Sequence, residues 1–96
     1  MFLKQPTFRS ESWRKAVASL PCVLCYREGM TQAAHRNQGK GIGLKVSDAW
    51  TAALCADCHR EIDQGPKMTR LERRALMDAA ILLTIDQLAS KGLVKA

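Results

Sequence analysis

Apolar positions along the chain change their spacing several times, and each change marks an element. From Ser10 to Leu20 (SESWRKAVASL) Trp13, Val17 and Leu20 recur at helical spacing behind a serine suited to cap a helix, so a short amphipathic helix is expected, ended by Pro21. Cys22 to Tyr26 forms a tight knuckle, and Arg27, Glu28 and Gly29 turn the chain. Met30 to Arg36 (MTQAAHR) then reads as a strand ending near His35. The stretch Asn37 to Asp48 (NQGKGIGLKVSD) carries Gly39, Gly41 and Gly43 with Lys40 and Lys45, a composition that predicts a loop. Ala49 to Leu54 returns as a second strand, and the pattern CHREIDQG predicts about two turns of helix from Cys58 to a stop at Gly65 and Pro66.

The last third holds the clearest helical signal, predicted over about residues 69–91. Thr69-Arg70-Leu71-Glu72 matches a capping box, and Leu71, Ala75, Ala79, Leu82, Leu83, Ile85 and Leu88 trace a broad apolar face that Gly92 ends. Asp78, Thr84 and Asp86 break the apolar run, which argues against a membrane span. The apolar face from Leu71 to Leu88 would cover either the chain's own core or a second subunit. No internal repeat or low-complexity segment occurs. The expectation is a single α+β domain over residues 1–96, with a core at about 20–65 flanked by an N-terminal helix and a long C-terminal one.

With 96 residues, such a domain buries only about 60 to 65% of the surface its unfolded chain exposes, so a covalent or metal staple would help it fold. Four cysteines supply the means, as the pairs Cys22-x-x-Cys25 and Cys55-x-x-Cys58. The first residues, MFLKQPTFRS, lose their apolar character at Lys4, Gln5 and Pro6, unlike a secretory leader, and a cytosolic location is therefore expected. In that compartment paired cysteines serve as metal ligands more often than as disulfides. Four thiolates satisfy a tetrahedral zinc ion completely, so Cys22, Cys25, Cys55 and Cys58 are expected to hold a structural Zn2+ with no open position for chemistry. The net charge of +6 is concentrated in the first sixty residues and favours a polyanionic partner, although charge speaks only to nonspecific attraction.

Any catalysis must then come from elsewhere, and the chain has only two histidines, His35 and His59. In a helix begun at the second knuckle, His59 and Asp63 stand one turn apart on one face, where an imidazole nitrogen and a carboxylate oxygen can reach a single ion. Such a mixed pair suits Mg2+, Mn2+ or another borderline divalent ion. Two alternatives stay open. In one, His59 merely caps or flanks the knuckle and Asp63 is a solvated acid; in the other, His59 is a zinc ligand in place of a cysteine, which its adjacency to Cys58 makes sterically awkward.

Taken together, AHRN at 34–37, the Gly and Lys loop, Asp48 with Trp50, and LCADCH at 54–59 followed by an acid at 63 resemble the HNH (ββα-metal, His-Me finger) nucleases. Within that group the chain is most similar to the small phage and prophage YbcO-like proteins. The likeness spans about residues 20–65, with a helical tail also expected. It implies a ββα-metal core in which His35, at the end of the first strand, is the general base, while His59 and Asp63 hold a catalytic Mg2+ or Mn2+. An imidazole, with an ordinary pKa near 6.5, takes a proton from water at neutral pH, and a divalent ion offsets charge on a phosphate. The implied reaction is hydrolysis of a DNA phosphodiester, leaving a 5′-phosphate and a 3′-hydroxyl.

The chain departs from the family in two places. Ala34 stands where many members carry a metal ligand directly before the base. The asparagine that names the family is missing from its usual place before the second knuckle, and Asp48, close by, is expected to orient His35 or hold the loop. Arg36, Lys40, Lys45 and Arg60 surround the proposed centre and are candidate contacts to the nucleic-acid backbone, with little sequence specificity expected, and Arg9, Arg14 and Lys15 would extend that patch or form the wet face of the first helix. Trp13 and Trp50 are expected in the core. A phage recombination or packaging protein that directs the cut would be a further partner. The competing hypothesis is a noncatalytic zinc module that binds DNA or a phage protein through the same basic surface.

Overall fold

The computed structural model describes residues 7–36 and 46–94. The first element, α1, spans Glu11–Ala18; the Ser10 hydroxyl accepts a hydrogen bond from the Trp13 amide at 3.1 Å, satisfying one of the free N–H groups of the first turn. Val17 and Leu20 turn inward, and Trp13 is partly buried against the same cluster. In the first knuckle the Tyr26 amide donates to Cys22 O at 2.8 Å and the Cys22 amide to Arg27 O at 2.9 Å. This tight reversal places Tyr26 at φ 64°, a left-handed conformation that side chains other than glycine seldom adopt.

Strands β1 (Thr31–His35) and β2 (Thr51–Cys55) form an antiparallel hairpin in which Thr31 faces Cys55, Ala33 faces Ala53 and His35 faces Thr51. A two-stranded sheet is marginal by itself. Here every residue of β2 is buried, because helices cover it and its outer edge is bonded. The Val23 amide donates to Ala53 O at 2.9 Å, and the Ala53 amide donates to Thr84 Oγ1 at 2.9 Å. Thr84 passes its own proton to Ala80 O at 2.7 Å, so the hydroxyl is used in both directions.

Helix α2 (Ala56–Gln64) follows β2 without a linker, so the chain runs β1–β2–α2 as a ββα unit. It starts two residues earlier than the spacing of CHREIDQG predicts, because the Cys55 sulfur serves as its N-cap, accepting from the Cys58 amide at 3.5 Å. At its other end Gly65 passes so close to the helix that an added Cβ would lie 2.4 Å from Glu61 O. Arg73 closes that end, donating to Asp63 O at 3.1 Å and also to Gly65 O.

The capping box of Thr69 and Glu72 starts α3 (Arg70–Ser90) as expected. The face it buries differs from the one its sequence favours. Met77, Ala80, Ile81, Thr84 and Leu88 point inward, whereas Leu71 and Leu82 are 77% and 69% exposed and Leu83 and Ile85 are also exposed. Small side chains explain the choice: Ala80 and Thr84 let the helix approach β2 closely enough for the Thr84 hydroxyl to bond the strand edge. Trp50 corrects another expectation, lying half exposed with the Arg36 guanidinium 5.8 Å from its ring centroid. Among the described residues no helix is long and apolar enough to cross a membrane.

Candidate metal and catalytic centres

The two cysteine pairs converge where the first knuckle meets the junction of β2 and α2. Their four sulfurs all lie within 4.8 Å of one another. Cys25 Sγ and Cys55 Sγ are 3.6 Å apart, far longer than a disulfide and close to the edge of about 3.8 Å that a tetrahedron of zinc–sulfur bonds of about 2.3 Å requires. The cysteines are thus arranged like a structural zinc site. Backbone amides aimed at the sulfurs favour thiolates here. Burial pushes the Cys22 thiol up, but hydrogen bonds from the backbone at Cys25, Cys55 and Leu24 outweigh it and bring it down to about 6. The Cys58 amide lowers Cys55 in the same way. Burial and the neighbouring sulfurs push the Cys58 thiol up. An exposed ion pair between Arg27 and Asp57, 3.0 Å long, links the first knuckle to the first turn of α2.

At the opposite end of the hairpin, His35 Nε2 lies 2.8 Å from Asp48 Oδ1. The Asp48 side chain is fully buried, while that of His35 is one-third exposed. Asp48 has further donors: the Ser10 amide at 2.7 Å, Arg14, and Arg9 at 3.2 Å. They reach it because α1 begins beside it and the Asp48 amide donates to Phe8 O at 2.9 Å, which aligns residues 8–10 with 46–48. Burial pushes the Asp48 carboxyl up, yet the hydrogen bonds from His35, Ser10 and Arg14 and the charge of Arg14 bring it down to about 2. An ionised carboxylate can only accept, so Nε2 of His35 carries the proton at this contact.

The second histidine forms a separate centre. On α2, His59 Nε2 lies 3.2 Å from Asp63 Oδ2, and His59 Nδ1 lies 3.0 Å from Gln32 Oε1 on β1. Two ligand atoms each about 2.1 Å from one ion and at right angles to it stand about 3 Å apart, so the His59 and Asp63 atoms have a spacing that adjacent positions around a divalent ion require. Side chains alternate along a strand, so Gln32, which meets His59, and Ala34 share one alternation, while His35 belongs to the other and reaches Asp48. Among the described residues the four cysteines are the only three or more Cys, His, Asp or Glu side chains whose ligand atoms all converge; His35 does not join His59 and Asp63 in a second such group.

The proposed nucleic-acid contacts divide. Arg36 is engaged by Asp78 on α3 through two bonds of 2.7 and 3.2 Å, and sits in a groove of about 310 Å³ lined also by Trp50, Ile81, Leu82 and Ile85. Arg60 is exposed and pairs loosely with Asp57 at 3.5 Å. Lys40 and Lys45 lie outside the described residues, as do Asn37 and the glycines of the loop. Three participants escape a reading of the sequence. Gln32 sits in an unremarkable TQAAH strand, and only period-two alternation, counted back from His35, would have turned it toward α2. Arg9 and Arg14, read as an extension of a basic patch or as wet helix surface, are instead partners of Asp48. No protein-family model matches this chain, and neither the curated proteins nor the solved structures compared with it match.

Proposed function

We propose that the chain is a metal-dependent endonuclease that hydrolyses DNA phosphodiester bonds with little sequence specificity, as the resemblance to HNH nucleases implies. The observation that carries this reading is that each of the two histidines is paired with a carboxylate on one ββα unit, and the two pairs are suited to different jobs. His35 has its Nε2–H committed to a buried, ionised Asp48, leaving Nδ1 to take a proton, with Asp48 stabilising the imidazolium that results. His59 and Asp63 present a nitrogen and an oxygen at the spacing of two ligands on one ion.

A divalent ion held there, with waters or phosphate oxygens in its other positions, would offset charge on the phosphate and on the departing oxygen. His35 Nδ1 removes the proton of a water whose oxygen attacks phosphorus; the bond to the 3′-oxygen breaks, and that oxygen leaves to be protonated by solvent. Gln32, which touches His59, and His35 are three residues apart on β1, about 10 Å between their Cα atoms. Because His35 belongs to the other alternation, water and phosphate would have to bridge from the ion to the base around the end of β1. In the family a ligand often precedes the base directly, so consecutive side chains of β1 would serve the ion and the base, and Ala34 occupies the ligand's place on the alternation it shares with Gln32. The exposed Arg60 extends beside the ion pair as a phosphate contact.

Ala34 also favours the runner-up, a noncatalytic zinc module that binds DNA or a phage protein, because it leaves the second ion with two protein ligands. A plasmid-nicking assay with Mg2+ or Mn2+ separates them. The nuclease reading expects nicking that falls 10²- to 10⁴-fold in His35→Ala. Nicking unchanged by that substitution removes the base, and a wild-type protein that binds DNA without cutting it under either ion establishes the module.

A further inference from the structure

We infer that Gln32 is a positioning residue of the divalent-metal site, fixing which ring nitrogen of His59 faces the ion. This rests on the nuclease reading of His59 and Asp63 and adds a residue from β1 to it. An imidazole that ligates a metal must present a lone pair from one nitrogen and carry its proton on the other, and the identity of the protonated nitrogen is set by the acceptor that nitrogen finds. In His59 the two nitrogens have different neighbours. Nε2 lies beside Asp63 Oδ2 at 3.2 Å, and Nδ1 lies 3.0 Å from the amide oxygen of Gln32, a neutral group that accepts a hydrogen bond.

The placement follows from the fold. Alternation turns residue 32 toward α2, and α2 starts at Ala56 immediately after β2, so its first full turn brings His59 over the beginning of β1. Gln32 is solvent-exposed, flanked by Thr31 and Ala33, and its neighbour on the same face is the buried Ala34. A side chain long enough to bridge from the strand to the imidazole is what this position supplies. With it, the ring is held at one end by β1 and at the other by Asp63; an ion taking its place between Nε2 and Asp63 would displace the proton shared there, while Nδ1–H stays on Gln32.

The test titrates Mn2+ into the 96-residue, zinc-loaded protein and follows the free-ion paramagnetic resonance signal, for wild type, Gln32→Ala, Gln32→Glu and His59→Ala. Nitrogen NMR of the His59 ring in the Mg2+-bound protein reports its tautomer in parallel, and zinc content and thermal unfolding confirm that each variant is folded. Expected are a 10- to 100-fold loss of Mn2+ affinity in Gln32→Ala, a ring that loses its single Nδ1–H tautomer, and recovery of both in Gln32→Glu, where a carboxylate oxygen replaces the amide oxygen. Wild-type affinity in Gln32→Ala, alongside loss of binding in His59→Ala, would overturn the inference and leave the metal site standing. A wild-type protein that binds no Mn2+, or a His59→Ala variant that binds it equally well, would overturn both.

Discussion

Replacing Asp48 with asparagine removes a negative charge from a site with no solvent exposure while nearly keeping its shape. Folding brings this carboxyl from its ordinary 3.8 to about 2, close to two pH units, and each unit corresponds to about 1.4 kcal/mol, so the ionised form contributes about 2 kcal/mol to stability at neutral pH. The sign follows from the direction of the shift. A depressed carboxyl stabilises the fold fully above its unfolded value, and the contribution drains away as pH falls from about 4 to about 2. Asp48→Asn should therefore unfold in urea with about 2 kcal/mol less stability at pH 7, and the gap to wild type should close across that acid window. Metal on the thiolates is shed in acid by both proteins, so the difference between the two curves, and neither curve alone, reports on Asp48. A variant within about 0.5 kcal/mol of wild type at pH 7, or a gap that stays constant in acid, would refute the argument that His35, Ser10 and Arg14 hold this group ionised.

Two other expectations concern the scaffold. The purified chain should contain one zinc per molecule by elemental analysis, and Cys22→Ala or strong chelation should abolish the cooperative unfolding transition, because a structural zinc supplies about 10 to 16 kcal/mol against a typical domain stability of about 5 to 15. Thr84→Val keeps the shape but strands the Ala53 amide in the core, which should lower stability by about 1 to 3 kcal/mol in urea melts, while Thr84→Ser should restore most of it.

Features that depend on neighbouring residues are legible in the chain itself. The cysteine spacing, the capping box at Thr69 and Glu72, the strand that ends at His35 and the stop at Gly65 each follow from a few consecutive side chains. What depends on distant partners is not. Helix α3 is apolar on more than one side, so its leucines mark a face as well as its alanines do. The choice between faces is made by Thr84, a polar residue that first reads as an interruption, and by a strand 31 positions away. Trp50 reads as core because of its size, but it lies half exposed with Arg36, beside Asp78, against its ring. The pairing of His35 with Asp48 is within reach of a family resemblance; the donors that keep Asp48 ionised are brought there by packing of α1, which no local pattern announces.

The outer margin of β2 has a consequence for how this molecule fails. An open strand border is a template on which another chain can polymerise, and small hairpins are especially exposed to that hazard. Here the vacant hydrogen-bonding positions of Ala53 are filled from within, one by Val23 and one by a hydroxyl from α3. A second molecule can add a strand on that side only after α3 has swung away, so on that border the native state is insulated from fibril growth until the long helix lets go.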